Sequence, residues 1–401
     1  MQKEKRLVPK LRFSEFEREW YKNRVGELAD FIVPGRNKPK EFNGNIPWIT
    51  TPDIEHNGIV KVSKKGLSIS SEEAKKVGAK IVPTNAIIIS CVGELGLTAI
   101  TGVEMVINQQ LHAFIPKEKI ENRFLLYSIS NQKKYMDKVA TKTAVPYMNK
   151  DNCNSIPVIY PSFSEQQKIA NFLTSIDTQI QILEKKKTLL AQYKKGIMQK
   201  IFKQELRFKD DDGNDFAEWE EKKLGEYLTH KSRRNKKLEV TRTLSVSNSK
   251  GFVLQSEQFD NHRVASKDVS NYKIVEKNDI AYNPSRINVG SIATLKDFEI
   301  GIVSPMYVVF SLKDTLDLTF FENLISTHLF KHLVKVGCSG SVRDSLNFDD
   351  LESFKLKIPS LAEQTKIANF LSAIDKNIAL VNTKIEHTKS YKKGLLQQMF
   401  V

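Results

Sequence analysis

The stretch PSFSEQQKIANFL at residues 161–173 occurs twice in this chain, because residues 359–371 read PSLAEQTKIANFL. From Pro161 onward the two copies share 20 of 42 positions at a constant offset of 198 residues, without a gap. A second echo precedes each copy, since the tripeptide LRF stands at residues 11–13 and again at 206–208. Self-similarity over this length indicates two equivalent halves. We therefore expect a target with two-fold character, for which duplex DNA is the obvious candidate.

Each copy predicts one long helix, because apolar residues recur at steps of four and three, the spacing of a coiled-coil seam. The seam residues are Ile169, Leu173, Ile176, Ile180 and Leu183 in the first copy and Ile367, Leu371, Ile374, Ile378, Val381 and Ile385 in the second. A first helix from about 164 to 204 would be roughly 60 Å long at 1.5 Å per residue. Neither helix can bury its seam alone, so we expect the two helices to pack on each other and to act as a spacer.

Composition excludes several classes of protein. The 401 residues carry a net charge of +15, which favours an acidic partner such as nucleic acid or an anionic membrane surface. No apolar run approaches the roughly 20 residues of a membrane span, and the start MQKEKR is not followed by the apolar core of a signal peptide. Cys91, Cys153 and Cys338 are odd in number and far apart, which favours a reducing cytoplasm over a disulfide framework or a zinc cluster. We expect a soluble, cytoplasmic protein without membrane contact.

Two segments of different sequence but similar texture precede the helices. Short apolar runs such as residues 86–89 and 306–310, punctuated by Gly and Pro, predict β-rich folds, with short helices at 121–139 and 319–335. The predicted class is α+β. The predicted divisions are a lead-in at 1–19, a first domain at 20–160, a helical spacer at 161–205, a second domain with its lead-in at 206–358, and a second helical spacer at 359–401. We further expect the N-terminal lead-in to pack near the C-terminal helix and to complete the second half.

These features resemble the specificity subunit of type I restriction–modification systems. The resemblance rests on the doubled EQxKIANFL helix opening, the LRF lead-ins, and the stretches PWITTPDI at 47–54, GELGLTAI at 93–100 and NVGSIA at 288–293. It implies two target-recognition domains, each reading one half of a bipartite, asymmetric DNA site, and two antiparallel helical regions that set the gap between the half-sites. The implied fold has pseudo-two-fold symmetry.

The resemblance also implies partners. Two modification subunits transfer a methyl group to adenine N6, and motor-nuclease restriction subunits complete the complex. S-adenosylmethionine, ATP and Mg²⁺ then belong to those partner subunits, while this chain has no cofactor, no metal site and no catalytic residue. The implied docking surface for the modification subunits lies on the helices, at Glu165, Gln166, Ile169, Phe172, Leu173, Ile176, Ile180, Glu363, Gln364, Ile367, Phe370, Leu371, Ile374 and Ile378.

Candidate DNA-contacting residues are polar and basic side chains on predicted loops, because Lys and Arg neutralise phosphates while Asn and Arg make bidentate contacts to adenine and guanine. In the first domain they are Arg36, Asn37, Lys38, Lys40, Lys142, Thr143, Tyr147, Asn149 and Lys150. In the second domain they are Arg233, Arg234, Lys236, Lys237, Asn283, Ser285, Arg286, Asn288, Ser339, Ser341 and Arg343. A basic loop is more often a solvated surface than a base reader, so the prediction applies to the set.

Two enzymatic alternatives involve short motifs. The sequence NPSR at 283–286 is a partial match to the Asn/Asp-Pro-Pro-Tyr/Phe loop of amino-methyltransferases, but it lacks the second proline and the aromatic residue that would stack on a flipped base. A Mg²⁺ nuclease using Asp53, Glu73 and Lys75 is the second alternative. Residues 70–76, however, are more typical of a capped, exposed helical turn.

Two further alternatives concern a metal and the partners. His328 and His332 stand four residues apart in a predicted helix and could hold a metal, but a third ligand is not evident nearby. We expect both to be partly buried structural histidines. A free-standing bipartite DNA-binding protein, working without partner subunits, also fits the sequence.

Overall fold

The structure is a computed structural model that describes residues 7–35, 37–258, 268–338 and 345–401. The chain divides into two compact units, one formed by Met1–Lys185 with Asn382–Val401 and the other by Lys186–Val381. The long helices α6 (Phe163–Phe202) and α11 (Leu361–Met399) each contribute to both units. The first unit thus contains the beginning of α6 and the end of α11, while the second contains the end of α6 and the beginning of α11.

The first unit is built from short strands and short helices around three clusters of buried apolar residues. Its elements are β1 (Tyr21–Arg24), α1 (Val25–Leu28), β2 (Ala29–Ile32), β3 (Ile46–Ile49), β4 (Gly58–Val60), β5 (Ser68–Ile69), α2 (Ser71–Lys76), β6 (Ile81–Val82), β7 (Ile87–Ser90), β8 (Thr98–Thr101), β9 (Met105–Ile107), β10 (Leu111–Pro116), α3 (Asn122–Ser130), α4 (Lys133–Val139), α5 (Lys150–Asn154) and β11 (Pro157–Tyr160). One sheet has the order β2-β10-β7-β8-β4 and another the order β5-β3-β9-β6, while β1 pairs with β11.

Strand β7 explains why the first unit has a core on each face of its larger sheet. Successive side chains of a strand point to opposite faces. Ile87 and Ile89 accordingly lie in the cluster that contains Phe124 and Leu173, whereas Ile88 lies in a second cluster. The unbroken apolar run predicted as a strand is therefore a strand that is covered on both faces.

The second unit repeats this plan with a different sequence. Its elements are β12 (Glu220–Lys223), β13 (Leu228–Lys231), β14 (Leu244–Ser247), β15 (Gly251–Leu254), α7 (Gln255–Gln258), β16 (Lys273–Glu276), β17 (Ile280–Tyr282), β18 (Ile292–Thr294), β19 (Ile300–Val303), β20 (Val308–Leu312), α8 (Leu318–Ser326), α9 (His328–Cys338), α10 (Phe348–Glu352) and β21 (Lys355–Ile358). The main sheet has the order β13-β20-β17-β18, and the pairs β12-β21, β14-β15 and β16-β19 complete the strands. The helices predicted at 121–139 and 319–335 are confirmed, each as two consecutive helices.

The repeated Glu-Gln pair anchors the start of each long helix in the unit that contains that start. Arg12 donates two hydrogen bonds of 2.8 Å to the Glu165 carboxylate. Gln166 accepts from the Glu121 amide at 2.9 Å, and its own amide group donates to the backbone oxygen of Pro161 at 2.9 Å. Glu165 and Gln166 are buried, so their hydrogen-bonding groups face the interior of the unit.

The second copy of the motif makes the equivalent contacts. Arg207 donates to Glu363 at 3.3 and 3.0 Å. Gln364 accepts from the Asp317 amide at 2.8 Å and donates to the Pro359 oxygen at 3.0 Å. The doubled sequence therefore encodes a doubled hydrogen-bond network at the start of each helix.

Within each unit the two helices run antiparallel. In the first unit Asp177 contacts Lys392 at 2.5 Å and Glu184 contacts Lys389 at 2.7 Å. Residue numbers therefore increase along α6 in the direction in which they decrease along α11. In the second unit Lys194 contacts Asp375 at 2.7 Å.

The predicted seam is buried at the start of each helix. Leu173 and Ile176 of α6 belong to the same core cluster as Phe124 of α3 and Leu395 and Met399 of α11. The seam therefore packs on a neighbouring helix and on the globular core together. The predicted α+β class with long antiparallel helices is confirmed.

The N-terminal lead-in completes the first unit, so the expectation that it completes the second half is wrong. Phe13 packs edge-on against Phe172 at 5.9 Å between ring centroids, beside the Arg12–Glu165 pair. The lead-in does lie near the C-terminal helix, as expected, because the Leu11 amide donates to the Gln398 oxygen at 2.9 Å. Both contacts fall within one unit because that unit holds the start of α6 and the end of α11.

Among the residues that the structure describes, no helix is long and apolar enough to cross a membrane.

Candidate nucleic-acid interface

In the first unit the loop that follows β2 is anchored by hydrogen bonds to α2 and to the residue that follows α2. The buried carboxylate of Glu73 accepts from the amide of Lys40 at 2.7 Å. Asn37 donates to the Val77 oxygen at 3.4 Å, and the Lys38 ammonium lies 5.8 Å from the centroid of the Trp48 ring. The side chains of Asn37, Lys38 and Lys40 are exposed, so an anchored backbone presents polar groups to solvent. Arg36, the remaining candidate of this loop, lies outside the described residues.

A cleft of about 310 Å³ beside this loop contains amide side chains that the sequence reasoning missed. It is lined by Gly35, Asn37, Lys38, Pro39, Trp48, Ala79, Val106, Ile107, Asn108, Gln109 and Gln110. Gln109 donates to the Gly35 oxygen at 3.4 Å, which joins the turn after β9 to the loop after β2. The signal in the sequence was the polar triplet Asn108–Gln110 between two apolar runs.

The second candidate loop of the first unit is tied to the end of β7. The Met148 amide donates to the Cys91 oxygen at 2.9 Å, and the Cys91 amide donates to the Gln110 oxygen at 2.9 Å. The loop at 142–150 therefore connects through one residue to the turn that borders the cleft. A chain of hydrogen bonds thus links the two candidate loops of the first domain through Cys91 and the turn at 108–110.

Individual residues of this second loop have distinct surroundings. Lys142 and Tyr147 are exposed, while Thr143 donates to the Val145 oxygen at 2.7 Å within the loop. Asn149 is the N-cap of α5, since its side-chain oxygen accepts from the Asn152 amide at 2.8 Å. A bidentate contact with a base would have to share the oxygen atom that makes this cap. Lys150 lies 5.7 Å from the centroid of the Phe31 ring.

In the second unit the densest basic run is largely paired with carboxylates and amides. Arg233 contacts Glu276 at 3.2 Å, and Lys231 contacts the same carboxylate at 3.0 Å. Arg234 donates to Asn271 at 3.2 Å, and Lys237 lies 3.9 Å from Glu239. This pairing lowers the positive charge that the run presents to a phosphate backbone. Lys236 is exposed and makes no ion pair among the described residues.

The loop after β17 is the other candidate of the second unit. Asn283 accepts from the Ser285 amide at 3.1 Å, which tightens the turn. Gly290 has a φ of 95°, a left-handed conformation that glycine adopts without steric cost. Ser285, Arg286 and Asn288 are exposed on this turn. The predicted polar loop between apolar runs is therefore present, whereas Ser339, Ser341 and Arg343 lie outside the described residues.

An equivalent backbone hydrogen bond occurs within each of the two units. The Leu346 amide donates to the Pro284 oxygen at 3.1 Å, and Leu346 stands 198 residues after Met148, whose amide donates to Cys91. Pro284 in the second unit thus takes the place of Cys91 in the first. Each unit uses this bond to hold the loop before its last short helix against the loop after its central strand.

The carboxylates of the nuclease alternative serve as anchors for local turns. Asp53 is buried and accepts from the amide and hydroxyl of Thr50, each at 2.7 Å, and from the Lys64 amide at 2.7 Å. Burial raises the pKa of Asp53, but the hydrogen bonds together lower it by more, so its pKa lies below the ordinary value. Glu73 is buried in its helical turn, which corrects the expectation that this turn is wholly exposed. Both carboxylates have hydrogen-bond donors where a metal would need free oxygens.

The histidine alternative and the cysteine argument both need correction. His328 and His332 are exposed on α9, because Phe330, Val334 and Cys338 form the face that packs on the core. The expectation of partly buried histidines is wrong. Cys91 and Cys153 are far apart in sequence but close in the fold, so sequence distance was a poor argument against a cluster.

The polar residues proposed to dock partner subunits have internal contacts. Glu165, Gln166, Glu363 and Gln364 are buried and bonded within their units, and the seam isoleucines and leucines line the cores. Phe172 and Phe370 are half-buried. A docking role for these residues stays a prediction, while their structural role is visible.

Comparison with known proteins gives a consistent result. The family described as type I restriction modification DNA specificity domain matches this chain twice, at residues 17–192 and at 217–389. The chain is 22% identical over 401 residues to the type I restriction enzyme MjaIX specificity subunit of Methanocaldococcus jannaschii, covering 94% of this chain and 90% of that relative. It is 29% identical over 178 residues to the EcoR124I/EcoR124II specificity subunit of Escherichia coli, covering 42% of this chain and 43% of that relative. A type I restriction-modification S subunit from M. genitalium has a similar fold, with a TM-score of 0.59 at 14% identity, covering 98% of this chain and 99% of that one.

Proposed function

The chain belongs to the type I restriction–modification DNA specificity family, and from this membership we propose that each of its two units reads one half of a bipartite, asymmetric DNA site. The chain is a specificity subunit with two target-recognition domains, and such a subunit works with DNA and with other subunits of its restriction–modification system. The observation that supports the proposal most is the contrast between a repeated frame and unrepeated loops. Equal frames position the two readers alike, and different loops let them read different bases.

In the first domain the reading surface consists of the loop at 37–40, the turn at 108–110 and the loop at 142–150. Lys38, Lys40 and Lys142 supply positive charge for phosphates, which accounts for much of the affinity of such proteins for DNA. The amides of Asn108 and Gln110 border the cleft, and amide side chains suit adenine in the major groove.

In the second domain the reading surface centres on the turn at 285–288. Arg286 and Asn288 are exposed there on a backbone fixed by a hydrogen bond and a left-handed glycine. A guanidinium matches the two acceptors of guanine, and an amide matches adenine. Lys236, which is exposed, adds a phosphate contact in the same domain.

The long helices set the gap between the half-sites and dock the modification subunits. A helix of 40 residues is about 60 Å long and stiff, so it acts as a spacer. Phe163 and Leu361 stand at matched positions at the start of the two helices and are 42% and 46% exposed. Two copies of one modification subunit need equivalent surfaces, and these two residues are exposed at equivalent positions of the two helices. We therefore place the docking of the modification subunits around these two residues.

The chemistry of the system takes place in the partner subunits. Adenine-N6 methylation with S-adenosylmethionine and ATP-driven, Mg²⁺-dependent translocation and cleavage are assigned to the modification and restriction subunits. This chain contributes the choice of site. Its own residues hold the loops, present polar groups to DNA and receive the partners.

The proposal is tested by mapping methylated adenines in cells that co-express this chain with the modification subunit of its own system. We expect one bipartite motif with a modified adenine in each half. Exchange of residues 20–160 for the corresponding domain of another specificity subunit should change one half of the motif and spare the other. A single undivided motif would contradict the assignment of one half-site to each domain.

A point substitution makes the test sharper. Arg286→Ala should relax base choice at one position of one half-site, since a good bidentate contact contributes about 1–3 kcal/mol of discrimination. Lys376→Ala removes an exposed positive charge from α11 and is the matched control. A motif unchanged by Arg286→Ala, or equally weakened by both substitutions, would exclude Arg286 as a base reader.

A further inference from the structure

Three potential metal ligands of the first unit meet in its interior. Cys91 follows β7, His112 lies in β10 and Cys153 lies in α5. Their sulfur and nitrogen atoms all lie within 4.8 Å of one another, and the three residues are 0%, 3% and 0% exposed. Among the residues that the structure describes, this is the one group of three or more His, Cys, Asp and Glu side chains that meets this criterion.

The imidazole of His112 has an unsatisfied nitrogen in this group. Its Nδ1 atom is buried and has no hydrogen-bond partner within the described part of the chain. A buried polar atom left without a partner costs roughly 1–3 kcal/mol, so native proteins rarely keep one without a reason. Phe31 packs perpendicular to the imidazole, at 5.2 Å between ring centroids. A metal ion bound through Nδ1 would give this nitrogen the partner that it lacks.

The two thiols are held in place by backbone oxygens. The Cys91 thiol donates to the Gln110 oxygen at 3.2 Å, and the Cys153 thiol donates to the Met148 oxygen at 3.9 Å. Thiolates, not thiols, bind metals, so both cysteines lose a proton on binding.

The second unit shows that the fold does not require these residue types here. Phe114 pairs with Ile87 and Phe310 pairs with Ile280, so the position of His112 corresponds to Val308. Cys153 corresponds to Leu351 at the offset of 198 residues, and Cys91 corresponds to Pro284 through the shared backbone bond. An apolar Pro, Val and Leu take the places of two cysteines and a histidine. Packing alone therefore does not explain the ligand set of the first unit.

We propose that Cys91, His112 and Cys153 bind one zinc ion in the first unit. Thiolate and imidazole ligands are the set that zinc prefers, and they supply three of the four ligands that it takes. The fourth is left to a water molecule or to a backbone oxygen such as that of Gln110, which lies 3.2 Å from Cys91 Sγ. Binding releases the two thiol protons, so one Zn²⁺ replaces two H⁺ and the oxidation states do not change.

The site has a structural role, because its ligands are closed off from solvent and no substrate can reach it. Cys91 is the residue whose carbonyl holds Met148 and whose amide is held by Gln110. A zinc ion at Cys91 therefore fixes the end of β7 to β10 and to α5. It stiffens the base of the loop at 142–150 in the first unit and has no counterpart at Pro284 in the second.

The test measures zinc in the full-length chain purified without chelators, by elemental mass spectrometry, and in the chain loaded with Co²⁺. We expect one zinc per chain and, with cobalt, a near-ultraviolet thiolate charge-transfer band. Cys153→Leu and His112→Val install the residue types of the second unit, which favours retention of the fold, and both should lose the metal. Cys338→Ala, which removes a buried cysteine of the other unit, is the matched control and should keep it.

The stability of the wild-type chain gives a readout that does not depend on a variant. Removal of zinc by a chelator should lower the melting temperature of the wild type and of Cys338→Ala, and should leave Cys153→Leu unchanged. Folded wild-type chain that takes up neither Zn²⁺ nor Co²⁺ would overturn the proposal. A Cys91–Cys153 disulfide found by mass spectrometry under non-reducing conditions would overturn it as well. Neither result bears on DNA recognition, so this inference and the proposed function fail independently.

Discussion

In the first unit Glu165 accepts two hydrogen bonds from Arg12, whereas in the second unit Glu363 accepts from Arg207 and also from Trp219, at 3.1 Å. The equivalent Trp20 is buried against Phe124 and the end of α11, and its Nε1 atom has no partner among the described residues. The glutamate of the motif therefore accepts from an arginine in the first unit, and from an arginine and a tryptophan in the second. A repeated sequence conserves the packing positions more strictly than the hydrogen bonds.

The comparison extends to the ends of the helices. Phe400 packs on Trp20 at 6.4 Å in the first unit, and Phe202, which stands 198 residues earlier, packs on Trp219 at 6.3 Å in the second. The lead-in follows α6 directly along the chain in the second unit, but it reaches α11 only through noncovalent contacts in the first. One arrangement is thus built once by a continuous chain and once by two separate segments.

The largest expected effect breaks both versions of the anchor. Glu165→Ala should destabilise the first unit by about 3–5 kcal/mol, because it leaves the largely buried Arg12 without its carboxylate. Glu363→Ala should cost the second unit less than this, because Arg207 keeps its exposed pair with Glu218 at 2.8 Å. Chemical denaturation followed by circular dichroism measures the loss. Glu184→Ala is the control, since its exposed pair with Lys389 should contribute no more than about 1 kcal/mol. Equal losses for all three variants would show that burial of the pair does not matter.

A smaller effect separates the two units at the tryptophans. Trp219→Phe removes a hydrogen bond to a buried carboxylate, whereas Trp20→Phe removes an N–H group that has no partner. We expect Trp219→Phe to cost about 1–2 kcal/mol more than Trp20→Phe, since hydrogen bonds to charged groups are the stronger ones. The two variants are matched in volume, and their unfolding midpoints can be compared under identical conditions. A greater cost for Trp20→Phe would reverse the comparison.

The smallest effect concerns acid stability of the first unit. The folded-state pKa of Asp53 lies below its ordinary value of 3.8, so its contribution is present above that pH and is lost as pH falls through the folded pKa. Asp53→Asn should cost about 1–2 kcal/mol at neutral pH, and the difference from wild type should shrink below pH 3.8. Melting temperatures measured across this range provide the check. A difference that is constant with pH would mean that the charge of Asp53 is irrelevant.

Part of the candidate site was predictable from the sequence, and the remainder was not, for a physical reason. The loop at 283–288 was recognisable because turn-forming and polar residues interrupt two apolar runs, and such signals are local. The pairing of Arg233 with Glu276 was not, because the two residues stand 43 positions apart and meet only through the sheet. Asn149 was predicted to contact DNA from its residue type, and the structure shows an additional local role as a helix cap.

The Glu-Gln pair illustrates the same limit from the other side. Its repetition identified the helix starts, and the helices begin within a few residues of the predicted positions. Its chemistry was not readable, because Gln166 bonds to Glu121 and Lys119, 45 and 47 residues away. A motif can thus mark a boundary without revealing which groups it contacts.

The sequence by itself determined that this protein has two equivalent halves, two long helices and a pair of β-rich domains, because repeats and apolar periodicity are properties of neighbouring residues. Only the tertiary structure decided that the lead-in joins the first unit, that the Glu-Gln pairs face inward, and that Cys91, His112 and Cys153 meet. These outcomes depend on contacts between residues tens to hundreds of positions apart. Chain order carries no record of such distances, since they are set by how strands pair and how cores close.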